Sequence, residues 1–263
     1  MKTVFATIAV AVAAGAAFGQ IASLNSWKVE ERIFNDLPGS TLTTTNNYAG
    51  GNLRFDEQFP FPTPGGFANK HVGYFSNDGG ATRYGFQNND GFRLDFDVRI
   101  SAPAGQPRKE AGIDVRNPRD GGAWTDEGQV LIASDGEVAV FGAAMPFTGF
   151  GNIYTLNTTA HVSFEYIVPG AIHPTLGAYR LLFNDAVTGM HDSGYKIWGA
   201  GEFDGTTGWN AGTQIGLKAQ NQRFPLANDF SDINYTNVSM IPAPGVASLL
   251  GLAGMMVARR RQR

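Results

Sequence analysis

The chain contains no cysteine. That absence excludes disulfides, thiolate-bound zinc and cysteine nucleophiles, so the fold must be held by its core and by any ions it binds. Histidine is nearly as scarce: His71, His161, His173 and His191 lie scattered, without a spacing that brings two imidazoles to one metal. Also missing are a Gly-x-Ser-x-Gly elbow, a phosphate-binding glycine loop, an EF-hand loop and a nonapeptide calcium repeat. From residue 20 to residue 240 no run of ten or more residues repeats its apolar positions at the helical period, which argues against helical and α/β domains. A basic surface is lacking too. Setting aside Lys2 and the arginines at 259, 260, 261 and 263 leaves 15 basic residues against 23 acidic ones, a net charge near −8. Nucleic acid is therefore not expected as a partner.

What the chain has in quantity is turn punctuation, 34 glycines and 13 prolines, set between short runs of alternating polarity. The clearest run is Phe92 to Ile100, with apolar side chains at even positions and charged ones at odd positions, the pattern of a half-buried strand. Gly112–Arg116, Val162–Tyr166, Tyr179–Phe183 and Ile215–Ala219 repeat it less perfectly, and each is expected to bury one face and wet the other. Gln129 to Phe141 reads as a hairpin through Ser134-Asp135-Gly136-Glu137, where Asp-Gly suits a type I′ turn. A second hairpin joins the runs at 162–168 and 179–183 through a loop holding Pro169, Gly170 and Pro174. Asp229 to Met240 alternates imperfectly and predicts a last strand with a bulge. Residues 56–91, rich in Gly, Asn, Asp, Pro and Phe, read as long loops at one end of the domain. Many short strands without helices between them predict one all-β domain over 20–240, an antiparallel sandwich or jelly roll. In this pattern, though in no individual residue, the body resembles concanavalin-like and laminin-G-like jelly rolls.

Both ends are apolar. Lys2 precedes the alanine-rich stretch Val4 to Ala17, and Ala17-Phe18-Gly19 places small residues where a signal peptidase inspects the chain. Cleavage is expected between Gly19 and Gln20, with a site two or three residues earlier as the alternative, so residues 1–19 read as a signal peptide. At the other end, Pro242-Ala243-Pro244 is followed by an uncharged stretch from Val246 to Ala258 and then by Arg259-Arg260-Arg261-Gln262-Arg263. The fourteen residues from Gly245 to Ala258 make a short hydrophobic helix of about 21 Å, against about 30 Å of bilayer hydrocarbon. This order of Pro-x-Pro, apolar segment and terminal arginines resembles the PEP-CTERM sorting signal, with Ala243 where that family usually has glutamate. The resemblance implies an exported protein held at the membrane or released from it by an exosortase-like enzyme that acts on residues 241–263. Its partners would then include the export machinery, a signal peptidase and the membrane.

Candidate chemistry within the body is sparse. Asp95 and Asp97 share a strand face about 7 Å apart, a separation usable by an acid and base across a water. Arg93 and Arg99 flank them, and ion pairing on a wet face explains all four more simply. Trp124, Trp198 and Trp209 occupy Gly- and Asp-containing segments, with Tyr195 and Phe203 nearby. Their rings could stack on sugars or, more simply, cap the ends of a sandwich core. Asp78, Asp90 and Asp120 lie in Asn/Asp/Gly loops that could offer calcium the hard oxygens it prefers, although the same residues also make unaided turns. The composite expectation is a non-catalytic protein of the cell envelope or extracellular matrix with polysaccharide as a candidate ligand; the alternative is a secreted glycoside hydrolase-like enzyme. The intact mass of the exported protein tests the termini: loss of residues 1–19 is expected, and exported material retaining them would refute the signal peptide.

Overall fold

Alternation at period two is carried into strands along nearly the whole body. The computed structural model describes residues 21, 23–62, 67–105, 107–118, 125–143, 145–198, 211–222 and 226–243. Gly19, Gln20, Pro244, Arg259, Arg260 and Arg261 therefore lie outside the described residues, as do the expected signal peptide and apolar tail helix. The described residues form fifteen strands, beginning with β1 (Ser26–Asn35), β2 (Thr41–Asn47), β3 (Asn52–Phe59), β4 (Ala68–Ser76), β5 (Phe92–Ser101), β6 (Lys109–Pro118), β7 (Thr125–Ala133) and β8 (Glu137–Gly142). The remainder are β9 (Met145–Asn152), β10 (Thr159–Ile167), β11 (Ala178–Asp185), β12 (Gly189–Asp192), β13 (Lys196–Ile197), β14 (Gln214–Gln222) and β15 (Asp229–Pro242).

Every strand pairing is antiparallel, and the strands form two sheets. One runs β1-β4-β14-β6-β7-β8-β9; the other runs β12-β11-β10-β5-β15-β3-β2, with β13 added beside β11. Their facing sides make the core of a jelly-roll sandwich, as the alternation predicts. Phe92, Leu94, Phe96, Val98 and Ile100 of β5 are all fully buried, opposite Ile113 and Val115 of β6 and Leu217 of β14 in one cluster. Each such side chain removed from water is worth about 1.5–3 kcal/mol before chain entropy is counted.

Several local expectations are corrected by long-range partners. The expected hairpin forms from β7 to β8, with Ile132 opposite Val138. Its turn is not type I′, because Gly136 has a positive φ of 101° while Asp135 does not, and Gly136 N–H donates to Ala133 O at 2.9 Å. That is a type I turn closed by a glycine bulge. Residues 56–91 are not simply end loops: they hold the end of β3 and all of β4, an interior strand buried along its whole length. Nor do β6 and β14 wet one face, since their polar faces are also largely buried.

A buried carboxylate closes one end of the space between the sheets. Glu57 of β3 is 1% exposed. Its Oε1 accepts Ser40 Oγ–H and Asn69 Nδ2–H, both at 2.6 Å, and its Oε2 accepts Asn221 Nδ2–H. His71 supplies a further bond: its Nδ1 accepts the Arg32 amide at 2.9 Å, which leaves Nε2 to donate to Glu57 Oε2 at 3.2 Å. The β1 register shift between Glu30 and Phe34 presents that amide, with Arg32 at a φ of 55°. Nearby, Lys109 pairs with Asp229, so the second charge between the sheets is also matched.

The last strand carries the expected bulge, between Thr236 and Ser239, with Asn237 at a φ of 54°. It continues further than expected, through Ile241 and Pro242, which pair with Arg93 and Phe92. Beyond it, the Ala243 N–H donates to Gly91 O at 2.9 Å, and Ala243 is 7% exposed against Ile167 and Ala178. Proline is tolerated in β15 because neighbouring residues alternate in amide direction. Ala243 faces β5, so the donor missing at Pro242 faces the side where β3 has already ended.

These contacts generate a pH dependence. Burial pushes the Glu57 carboxyl up, but its bonds from His71, Ser40 and Asn69 outweigh burial and hold it below the usual glutamate value of 4.5. A carboxyl depressed on folding stabilises above its unfolded pKa, and that contribution is lost as pH falls through the folded one. Thermal melting followed from pH 7 to pH 3 should show a steeper acid loss in the native protein than in Glu57→Gln. Parallel curves would remove Glu57 from the acid response.

Candidate functional site

The outer face of the seven-stranded sheet, away from the core, carries a concentration of polar side chains that alternation alone would assign to solvent. Cross-strand register sets its rows. Tyr74, Gly216, Asp114, Gln129 and Phe141 lie side by side on β4, β14, β6, β7 and β8. A neighbouring row runs Val72, Lys218, Gly112 and Leu131, and another Gln214, Arg116 and Glu127.

Gly216 is required at its place. A Cβ there would lie 2.4 Å from Val72 Cγ1 and 3.0 Å from Tyr74 Cδ1. Without one, the Tyr74 ring crosses β14 and its hydroxyl donates to Asp114 Oδ2 at 2.7 Å. Asp114 is fully buried and also accepts Lys70 Nζ at 2.6 Å on Oδ1 and Arg116 Nε at 3.1 Å on Oδ2. Burial opposes its ionisation, yet the charges of Lys70 and Arg116 hold its carboxyl below the ordinary range. Tyr74 moves the other way, pushed up by burial and by the facing Asp114 charge. Lys70 is 1% exposed; it pairs with Glu127 as well and lies 5.8 Å from the centre of the Phe34 ring. Lys218, fully buried, donates to Gln129 and sits 3.5 Å from Glu110, and its amine is pushed down by burial.

Above this layer is a groove of about 590 Å³. Its floor and flanks present Glu110, Glu127, Gln129, Glu137, Gln220 and Gln222, with Arg108 bridging Glu110 at 3.0 Å and Glu137 at 2.7 Å. Phe34 and Phe67 lie toward β1, and Phe141 and Phe147 toward β8 and β9. Phe34, Phe67 and Phe147 remain 39%, 49% and 64% exposed at the rim of the groove. Five strand spacings separate β1 from β8, roughly 24 Å at about 4.8 Å each.

The expected site residues fall elsewhere. Trp198 is fully buried and meets Tyr166 and Tyr179 edge to face, so it caps the core and offers no plane to a ligand. Trp124, Trp209, Asp120 and Phe203 lie outside the described residues. Asp78 accepts Ser76 Oγ–H at 2.7 Å and Thr82 Oγ1–H at 2.6 Å, while Asp90 accepts the Gln87 amide at 2.7 Å; both shape their own loops. Among the described residues no group of three or more His, Asp or Glu is placed to hold a metal ion. Asp95 and Asp97 lie on the outer face of the other sheet. Asp95 pairs with Arg93 at 2.9 Å as expected, whereas Asp97 bonds His161 Nδ1 at 2.8 Å and Asn237 Nδ2 at 2.7 Å in place of the expected Arg99. The groove phenylalanines had no such signal in the sequence beyond lying near turns, and the polar face of β6 and β14 was visible only as ordinary alternation.

No family model matches the chain, and no curated protein sequence does. Among solved structures it is similar to an alginate lyase from Corynebacterium sp., at 12% identity and a TM-score of 0.43 over 85% of this chain and 96% of that one. It is likewise similar to the alginate lyase from Klebsiella pneumoniae, at 9% identity and a TM-score of 0.45 over 86% and 98%. Lectin II from Ulex europaeus matches at 7% identity and a TM-score of 0.40 over 81% and 99%. Likeness at these levels assigns neither a residue nor an activity.

Removing one partner of a buried ion pair leaves the other charge uncompensated, at a cost of about 3–5 kcal/mol. Lys70→Met should therefore destabilise the domain by about that amount in urea unfolding. A loss under about 1 kcal/mol would mean that Arg116 alone compensates Asp114.

Proposed function

We propose that this protein is an exported, non-catalytic β-sandwich that binds polysaccharide in the groove over its seven-stranded sheet and is sorted to the cell envelope through its C-terminal tail. One observation carries the binding: three exposed phenylalanine rings stand at the two sides of a groove whose floor is made of carboxylates and amides. Sugar rings present an apolar face with hydroxyls around the rim, so stacking on phenylalanine and hydrogen bonding to Gln129, Gln220 and Gln222 would be satisfied together. The span between the aromatic sides suits several linked sugar rings better than one.

Three further features support binding without cleavage, and binding outside the cytoplasm. Glycosidic hydrolysis needs one carboxyl group held as the acid, whereas Glu110, Glu127 and Glu137 each face a cationic partner. Export and sorting rest on the alanine-rich leader and on the order of Pro242-Ala243-Pro244, apolar stretch and arginines. The absence of cysteine is compatible with an oxidising compartment, since no thiol is left to react.

The test is binding of soluble polysaccharides to the full-length protein by calorimetry, with reducing-end release assayed in parallel. Phe67→Ala and Phe147→Ala should each weaken binding about tenfold, equivalent to about 1.4 kcal/mol, with unfolding midpoints unchanged. Undiminished affinity in both variants would remove the groove from the site, and reducing ends released from a bound polymer would make the protein an enzyme.

A further inference from the structure

We infer that the groove selects uncharged polysaccharides, those without uronate or sulfate groups. This rests on the binding reading above and adds the chemistry of the ligand. Recognition of a polyanion needs cations whose charge is free to face the ligand. Among the described residues lining the groove or lying beneath it, each cation is already committed. Arg108 meets Glu110 at 3.0 Å, Asp135 at 3.2 Å and Glu137 at 2.7 Å, so its guanidinium is surrounded by three carboxylates. Arg116 meets Asp114 at 3.1 Å and Glu127 at 3.4 Å. Lys70 is engaged by Asp114 and Glu127, and Lys218 by Glu110 and the Gln129 amide oxygen; both amines are buried beyond the reach of a polymer lying in the groove. Lys28 lies on the edge strand β1 opposite Tyr74 and does not line the groove.

The sign of the remaining field points the same way. These four cations face the five carboxylates Glu110, Asp114, Glu127, Asp135 and Glu137. An added uronate would find no free counter-charge among the described residues of the groove and would approach Glu127 and Glu137, whose side chains are 38% and 37% exposed. A protonated amino sugar gains only from the excess of one carboxylate, because each carboxylate it could pair with already shares a cation. Hydroxyl groups need neither: they donate to the exposed carboxylate oxygens and to the glutamine carbonyls, and they accept from the glutamine amides. The phenylalanine rings supply the rest of the contact without regard to charge.

The experiment measures binding of the full-length protein to a panel of uncharged glucan, mannan, xylan and galactan, to polygalacturonate and alginate, and to chitosan, at 50 mM and 500 mM sodium chloride. At least one uncharged polymer should bind at least about tenfold more tightly than any charged one. Its affinity should change less than about twofold between the two salt concentrations. Glu137→Gln, which leaves Arg108 less compensated at an exposed position, should gain about threefold in polygalacturonate binding at low salt. A charged polymer bound most tightly, with Phe147→Ala still weakening it, would overturn the selectivity while leaving the groove as the site. Binding of no polymer, or binding indifferent to Phe147→Ala, would overturn the groove itself and the selectivity with it.

Discussion

A carboxylate placed between two sheets has to be met by donors on the facing strands, and Glu57 of β3 sets that condition for β4 and β14. Its acceptors are filled from β4 by Asn69 and His71, from β14 by Asn221 and from the segment before β2 by Ser40. None of these partners can shift by a residue without turning its side chain to the opposite face. The register of β4 against β14 is therefore pinned from inside the sandwich. With Glu57 charged and buried, an alternative register would leave an unmatched ion in the interior, a larger penalty than any single apolar contact could recover.

The outer face depends on that register. Tyr74 reaches Asp114 only because Gly216 lies between them, and Gly216 lies there because β14 is fixed against β4. From Asp114 the compensation spreads through Lys70 and Arg116 to Glu127 at the groove. A second fixing point joins the sheets directly: the Tyr235 hydroxyl of β15 accepts the Gly112 amide at 2.7 Å and donates to the Lys218 carbonyl. The position of Lys218 beneath the groove is thus tied through its own backbone to the opposite sheet. The groove's polar floor is consequently a stiff surface of matched charges rather than a set of mobile side chains.

Fold class was legible in the sequence because it depends on local alternation. Phe92 to Ile100 declares a strand without reference to any other segment, and β7 with β8 declares a hairpin. What could not be read were the segments whose character is set by distant partners. Asn69-Lys70-His71 reads as loop because three polar residues in succession suit solvent, but their partners are Glu57, Asp114 and Arg32 on other strands. The same blindness hid the groove. Glu110, Asp114, Gln129 and Lys218 each look like an exposed member of an alternating strand, and only cross-strand register brings them together. Tryptophan drew attention by its size, yet size is also what makes a side chain valuable in the core, where Trp198 lies.

The run of β15 through Pro242 to the bonded amide of Ala243 gives the domain a particular mechanical character. Where β15 lies between β5 and β3 its backbone is held on both sides. Tension entering at Ala243 along the strand axis loads these cross-strand bonds together in shear, whereas a terminus on an edge strand pulled sideways would release them one after another. A domain tethered by this end would resist detachment through the centre of a sheet.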